Sequence, residues 1–175
     1  MFAFALWDKK RKRLSLVRDR VGIKPLYYGW SNGIFFFASE LKAIVIHPSF
    51  NAEIDRGALS LFMRHNYVPT PYCIYRGFYK LPPGSILEVE KRDGEFSYAL
   101  YYYWSAIEVI EKAKSNPFRG NLEEAVQELE RLLRDAVKIR MISDVPLGAF
   151  LSGGYDSSTV VALMQAQNNK PVKTF

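Results

Sequence analysis

The sequence feature that most constrains the fold is a change of pattern near Trp104. Aromatic residues (11 Tyr, 12 Phe and 3 Trp) are concentrated before this point, as is typical of β-rich structure. Beyond it, helix-like charged segments surround one short apolar run. Because 175 residues leave room for one domain, or one and a fraction, we predict a β-rich first part followed by the opening of an α/β second part.

Short alternating segments separated by turn residues predict the strands of the first part. Asn32-Gly33 and Asp93-Gly94 are strong hairpin signals. Residues 38–47 look like a short helix that ends before Pro48, and helical spacing predicts a second helix over residues 54–68. The proline-rich residues 68–85 predict a loop. The predicted strands cover residues 2–7, 13–18, 26–30 and 33–39 and a hairpin over 86–104.

The second part begins with an amphipathic helix. Asn121 suits the N-cap, and apolar residues recur on one stripe from Leu122 to Met141. Residues 145–151 are almost wholly apolar, which predicts a strand buried on both faces. A glycine loop and a helix over residues 157–167 follow, and residues 170–175 look like a strand without a partner. This order predicts the start of a parallel α/β sheet.

Charge, cysteine and histidine content exclude several classes of function. The net charge is +6, and much of it comes from the KKRKR run at residues 9–13, which we interpret as a solvated hairpin turn. No second basic cluster or stacking pattern indicates a nucleic-acid partner. Cys73 is the single cysteine, which excludes an internal disulfide and fits a reducing compartment. His47 and His65 are far apart, so no metal-ligand cluster is indicated.

The two ends carry no targeting pattern. The first apolar stretch has only six residues and precedes the charged run, the reverse of a signal peptide, and no stretch is long enough to cross a membrane. We therefore expect a cytoplasmic chain with no membrane partner. Both ends look truncated, because strand-like segments stand at residue 1 and at residue 175.

The glycine loop between the apolar run and the last helix is a candidate anion site. Its two glycines allow close backbone approach, and the helix N-terminus favours negative charge. A carboxylate in such a loop would repel phosphate unless a cation lies between them, so Asp156 suits either a magnesium ion or a helix cap. The polar and glycine residues of the loop are Ser152, Gly153, Gly154, Asp156, Ser157 and Ser158.

Three other interpretations of this loop lack the residues they need. A Walker loop needs a lysine before its Ser or Thr, and a dinucleotide fingerprint needs a third glycine in the turn. A serine nucleophile needs a G-x-S-x-G elbow with a nearby histidine. On residue types alone, phosphate binding is favoured, and a simply capped helix remains the alternative.

A family resemblance bears on this choice. FLSGGYDSSTVVAL resembles the pyrophosphate-binding loop of the PP-loop ATP pyrophosphatases, and with the preceding SDVPLGA it is similar to the loop of glutamine-dependent asparagine synthetases. MFAFALWD, RDRVGIKPLYY, FFFASELKAI and YVPTPYCIYRGFYKLPPGS resemble that family's glutaminase domain, in the same order.

The resemblance implies the fold class and the domain division. The first part would be an α+β, β-rich partial N-terminal-nucleophile (glutaminase) domain over residues 1–104, followed by a linker over 105–120. Residues 121–175 would be the start of an α/β parallel-sheet PP-loop domain of the adenine nucleotide alpha hydrolase-like kind.

The resemblance also implies an activity for the parent protein, that of an ATP-dependent carbon–nitrogen ligase. ATP would adenylate the side chain of aspartate to β-aspartyl-AMP, and ammonia from glutamine would displace AMP to give asparagine. The small-molecule partners would be ATP, aspartate and glutamine, the cofactors ATP and Mg, and the parent could form a homodimer. Asp156 would bind Mg, and Tyr155 stands where leucine is usual. ATP and its pyrophosphate would contact Leu151, Ser152, Gly153, Gly154, Asp156, Ser157 and Ser158.

The glutaminase nucleophile is absent from this sequence. In the family it is a cysteine at the mature N-terminus, whereas residue 2 is Phe2, and Cys73 is a poor substitute in a mid-chain loop. We therefore expect the 175 residues alone to be inactive. Four residues that match family positions are interpreted as scaffold rather than catalytic: Arg18, Asp19, Lys24 and Glu40.

Two other functions stay open on the sequence. One is a related amidotransferase that acts on another carboxylate, as in surface-polysaccharide or β-lactam assembly. The other is a non-catalytic remnant that binds a partner protein.

Overall fold

The computed structural model describes residues 1–92 and 95–175, so the predicted Asp93-Gly94 turn lies outside the described residues. The chain divides into two compact units, Met1–Ser115 and Asn116–Phe175. Each is described by itself. In the part of the chain that is described, no helix has the length and apolar character needed to cross a membrane.

The first unit contains two antiparallel sheets. One has the strand order β1-β2-β6-β7 and the other the order β4-β3-β5. Its strands are β1 (Ala3–Asp8), β2 (Arg13–Arg18), β3 (Tyr27–Ser31), β4 (Ile34–Ala38), β5 (Phe78–Lys80), β6 (Ser85–Arg92) and β7 (Glu95–Tyr102). Its helices are α1 (Leu41–Val45), α2 (Arg56–His65) and α3 (Ala106–Ser115).

Local turn chemistry builds two of the hairpins. Asp8 accepts hydrogen bonds from the backbone N–H groups of Lys10 (2.9 Å) and Arg11 (3.0 Å), which closes the exposed basic turn between β1 and β2. Asn32 and Gly33 both have positive φ (48° and 77°), as a two-residue turn of type I′ requires. The predicted hairpins at the basic turn and at Asn32-Gly33 are therefore confirmed.

The core of the first unit contains two clusters of buried side chains. Alternation along β2 places Leu16 inward, where it is fully buried opposite Leu87 of β6. The cluster around these two leucines includes Leu26, Leu81 and Val89. The second cluster consists of Ile44, Cys73 and Phe78.

The proline-rich residues 68–85 were predicted to form a loop rather than a strand, and this prediction is wrong in part. Phe78–Lys80 forms β5, which pairs antiparallel with β3, and the side chain of Phe78 is buried. The prolines flank this short stretch without interrupting it, so its N–H groups remain free to bond to β3. A partner about 50 residues away in sequence decides the outcome.

The segment expected to be a linker, residues 105–120, contains helix α3 (Ala106–Ser115). Every residue of α3 is exposed. Its first turn carries Glu108, and its last turn carries Lys112 and Lys114, an order that favours the helix dipole at both ends. The mixture of charged and apolar residues that suggested a linker is therefore compatible with a solvated helix.

The second unit begins with α4 (Leu122–Lys138). Asn121 caps this helix as predicted: its side chain accepts from the backbone N–H of Glu124 (2.9 Å), and the Glu124 carboxylate accepts from the N–H of Asn121 (2.8 Å). This reciprocal pair satisfies two helix-terminal donors. The remaining elements are β8 (Gly148–Ala149), α5 (Tyr155–Gln165) and β9 (Lys173–Thr174).

Two predictions about the second unit are wrong. Residues 145–151 are not a strand buried on both faces: only Gly148–Ala149 is a strand, and its neighbours are exposed. The last residues do have a partner, because β9 pairs in parallel with β8, and Leu151 donates its N–H to the carbonyl of Phe175 (2.9 Å). An apolar run is buried on both faces only where layers cover both sides of a sheet, and two short strands provide no such layers.

Candidate functional site

The glycine loop lies where β8 ends and α5 begins. Pairing of β8 with β9 fixes the start of the loop up to Leu151, whose backbone is held by the carbonyl of Phe175. From there Ser152, Gly153 and Gly154 lead directly into the helix. The loop thus has the arrangement predicted for an anion site, a parallel strand followed by a tight turn and a helix N-terminus.

Helix α5 begins at Tyr155, two residues earlier than the sequence predicted. Its N-cap is Gly154, and no side chain caps it, in contrast to α2 and α4, which Asp55 and Asn121 cap. The first intrahelical hydrogen bond runs from the Ser158 N–H to the Gly154 carbonyl (3.1 Å). The N–H groups of the first turn before Ser158 therefore remain available to a ligand.

Gly153 has a φ of +81°, and a Cβ atom placed on it would have no neighbour within 4 Å. The backbone conformation, not lack of space, is thus the reason for glycine at this position. Space beside Gly153 is open, so an oxyanion can approach the backbone of the loop closely.

The serines of the loop differ in their partners. The hydroxyl oxygens of Ser152 and Ser157 are 3.1 Å apart, and Ser157 also donates to the Gly154 carbonyl (3.1 Å). The two hydroxyls therefore lie together at the turn, whereas Ser158, the next residue along α5, is exposed. Geometry brings Ser152, Ser157 and the glycines into one small region.

Asp156 lies in the first turn of α5 and is exposed. The interpretation of Asp156 as a helix cap is wrong, because Gly154 holds the N-cap position. No cluster of three or more His, Cys, Asp or Glu side chains suited to a metal occurs in the described ranges. Since Mg²⁺ in nucleotide sites is commonly held by one or two carboxylates together with phosphate oxygens, the single carboxylate fits magnesium only alongside a phosphate ligand.

The two large side chains of the loop project outward. Tyr155, which stands where the resembling family usually has leucine, is 95% exposed, so its ring packs against nothing in this unit. Leu151 is 41% exposed and can contact a bound molecule. The ring of Tyr155 therefore lies in solvent and does not pack against the loop.

Arg18 and Asp19 form a buried hydrogen-bonding centre in the first unit. The Arg18 guanidinium donates to the carbonyls of Lys24 (2.9 Å), Leu81 (2.6 Å) and Gly22 (2.8 Å). Desolvation lowers the pKa of Arg18, and the charge of Asp19 opposes this shift. All three acceptors are backbone carbonyls, so Arg18 holds the backbone in place, as predicted for a structural rather than a catalytic residue.

The carboxylate of Asp19 accepts from the backbone N–H groups of Lys24 (2.9 Å), Ile23 (3.0 Å) and Phe2 (3.3 Å). Burial raises the pKa of Asp19, but these three donors outweigh it, so the pKa lies below its ordinary value. The charged form thus stabilises the turn after β2.

The lowered pKa of Asp19 predicts a pH-dependent stability. Its contribution is fully present above the unfolded pKa of about 3.9 and is lost as the pH falls through the lower folded pKa. We expect Asp19→Asn to lower the free energy of unfolding by a constant amount between pH 5 and pH 8, and by a shrinking amount below about pH 4. Urea unfolding at several pH values measures this difference, and a difference independent of pH down to 2.5 would refute the assignment.

The other residues singled out in the first part are not catalytic candidates. Glu40 pairs with Lys42 at the surface (2.7 Å), where ion pairs contribute little. Cys73 is 3% exposed, and burial raises the pKa of its thiol, so it is held as the unreactive form. Lys24 contributes its backbone N–H and carbonyl to Asp19 and Arg18.

Each part of the chain matches a known protein family. Residues 1–104 match the family model of the glutamine amidotransferase domain, and residues 128–175 match that of asparagine synthase. The two antiparallel sheets of the first unit are compatible with a glutamine amidotransferase domain.

Several curated relatives are similar over nearly the whole chain. A Methanocaldococcus jannaschii protein named as a glutamine-hydrolysing asparagine synthetase is 41% identical over 94% of this chain and 31% of its own length. Two Bacillus subtilis proteins with that name, numbered 1 and 3, are 36% and 34% identical over 100% of this chain and 26% and 28% of their own lengths. The chain thus spans about a quarter to a third of the length of these relatives, and it belongs to the glutamine amidotransferase family, with similarity along nearly its whole length to glutamine-hydrolysing asparagine synthetases.

Proposed function

We propose that residues 151–158 bind the pyrophosphate part of ATP. The observation that carries this proposal is the uncapped N-terminus of α5, which is preceded by a glycine with a φ of +81° and open space beside it. Backbone N–H groups at such a terminus bind anions because they are unpaired and lie at the positive end of the helix dipole. The match of residues 128–175 to the asparagine synthase family supports a nucleotide as the anion.

For the whole protein we propose ATP-dependent conversion of aspartate to asparagine with ammonia from glutamine. In this proposal residues 1–104 belong to the glutaminase domain, 105–120 connect the domains, and 121–175 open the PP-loop synthetase domain. The names of the relatives and the matches of both family models support it. Cys73 is the single cysteine, which agrees with a reducing compartment, and we place the protein in the cytoplasm.

The residues of the loop would act by electrostatic stabilisation. When the aspartate carboxylate attacks the α-phosphorus of ATP, negative charge builds up on the leaving pyrophosphate. N–H groups of the first turn of α5 would donate to its oxygens, and the hydroxyls of Ser152 and Ser157 would do so in place of their present bonds to each other and to the Gly154 carbonyl. Because the helix holds the N–H donors before the reaction, these groups need little reorganisation in the transition state. Leu151, exposed at the start of the loop, would contact the nucleotide.

Asp156 would carry the metal function of the site. A magnesium ion bound there would neutralise the repulsion between its carboxylate and the phosphate oxygens. Without a cation this carboxylate would oppose the binding of pyrophosphate, because it lies in the same first turn as the donors. The composition of the loop therefore fits a metal-bound nucleotide better than a free anion.

The conformation of Gly153 provides a test of the nucleotide site. Alanine at a φ of +81° is strained by about 1–2 kcal/mol, so we expect Gly153→Ala to raise the KM for ATP about 5–30-fold in the full-length protein. Pyrophosphate release with aspartate and ammonium salts measures this without the glutaminase step.

Gly33→Ala is the matched control. Gly33 has a φ of +77°, and a Cβ atom there would also have no neighbour within 4 Å, but it lies in the turn between β3 and β4. It should lower stability by a similar amount and leave the KM for ATP unchanged. Equal KM values for both variants and the wild type would contradict the proposed role of the loop.

A further inference from the structure

A cavity of about 460 Å³ lies beside α2 in the first unit. Its size falls in the range of small-ligand sites, roughly 300–1,000 Å³. Tyr27, Tyr67 and Lys80 contribute its polar groups together with Asn66 at the end of α2. The walls are otherwise apolar and include Leu41, Leu59, Phe62, Val68 and Ile74. Sequence patterns did not predict this site, because its lining residues come from separate segments of the chain.

Lys80 gives the cavity its charge. Its ammonium group donates to the carbonyl of Val68 and lies 6.0 Å from the ring centroid of Tyr27. An ammonium has three donors, so one carbonyl leaves others free. Among the described residues, no carboxylate lies within 4 Å of it. Desolvation lowers the pKa of Lys80, the nearby Arg18 adds to this shift, and Cys73 opposes it.

The apolar part of the cavity is incompletely covered. Leu59 and Phe62 are 42% and 44% exposed, although both lie on the face of α2 that lines the cavity. A ligand that covers them would remove apolar surface from water, which contributes about 25 cal/mol per Å². The half-buried ammonium of Lys80 has no ionic partner among the described residues, and the apolar side chains of Leu59 and Phe62 beside it are partly exposed. A ligand with one negative charge and an apolar body would complement both features.

We propose that this cavity binds an apolar monocarboxylate, with its carboxylate on the ammonium of Lys80 and its apolar body against Leu59 and Phe62. A charge-assisted hydrogen bond to the ammonium would hold one end of the ligand, and burial against α2 would hold the other. All lining residues lie between Tyr27 and Lys80, so the proposal does not depend on the nucleotide site.

Calorimetric titration of the full-length protein with octanoate tests this proposal. We expect saturable binding at one site, and at least tenfold weaker binding of 1-octanol, which has the same chain length without the charge. Lys80→Met keeps the aliphatic stem and removes the charge, so it should weaken octanoate at least tenfold. Lys9→Met, in the exposed basic turn, is the matched control and should bind octanoate like the wild type.

Phe62→Ala tests the apolar contact separately. Because Phe62 is partly exposed, this variant should fold, and it should weaken octanoate and octanol by similar factors. If Lys80→Met does not fold, this variant and the comparison of octanoate with octanol decide the question. Absence of octanoate binding at millimolar concentration, equal affinity for acid and alcohol, or wild-type affinity of Lys80→Met would each overturn the proposal.

Discussion

Asp156→Asn in the full-length protein should reduce asparagine synthesis about 10²–10³-fold, the range typical of losing one preorganised electrostatic group at a reacting centre. Asparagine has nearly the same shape but no charge, so it would hold magnesium poorly. The change leaves the helix intact, because Asp156 is exposed and is not the N-cap of α5. Loss of the favourable dipole interaction would lower stability by only about 0.3–1 kcal/mol.

The two half-reactions separate this effect from general damage. Glutamate release from glutamine should be nearly unchanged in Asp156→Asn, because the proposed function places glutamine hydrolysis in the other domain, the one that contains residues 1–104. Asp135→Asn, an exposed position on α4, is the matched control and should keep both activities. Equal loss of glutaminase and synthetase activity in Asp156→Asn would argue against a nucleotide role for this carboxylate.

Arg18→Met should lower the free energy of unfolding of the first unit by about 3–5 kcal/mol, as is typical when one member of a buried charged hydrogen-bond network is removed. Arg18 is 8% exposed, and its guanidinium bonds to three backbone carbonyls of the turn after β2 and of the segment after β5. Methionine fills part of the volume but leaves these acceptors without donors. Each buried unsatisfied group costs about 1–3 kcal/mol.

Arg20→Met is the matched control for Arg18→Met. Arg20 is exposed two residues further along, and the same substitution there should change stability by less than about 0.5 kcal/mol. Arg18→Lys should lie between the two, because a single ammonium keeps the charge but cannot reach three carbonyls at once. Urea unfolding followed by circular dichroism measures all three, and a loss below about 1 kcal/mol for Arg18→Met would contradict the scaffold role.

The elements that sequence predicts well in this chain depend on local chemistry. The turn at Asn32-Gly33 needs two positive φ values that these residues adopt easily, and the cap at Asn121 needs only Glu124 three residues later. Both are set by neighbours in sequence. The strand β5 was missed because its pairing with β3 is a long-range contact that the surrounding prolines conceal.

At the candidate site, sequence predicted the order of strand, glycine loop and helix but not the residue at which the helix begins. Preference rules make Asp156 look like the cap of a helix starting at Ser157, whereas Gly154 is the cap and Asp156 lies inside the first turn. Glycine is a common N-cap that gives no side-chain signal, so the start of α5 could not be predicted exactly from residue types. The roles of Leu151 and the loop serines toward ATP stay predictions.

The most direct test of the nucleotide assignment is the identity of the products of ATP. The full-length protein, supplied with ATP, aspartate and glutamine, should release AMP and pyrophosphate in a one-to-one ratio with asparagine, and Asp156→Asn should release both about 10²–10³-fold more slowly. Radiolabel in the α-phosphate distinguishes AMP from ADP. Release of ADP and inorganic phosphate would contradict the proposal that this loop binds the leaving pyrophosphate.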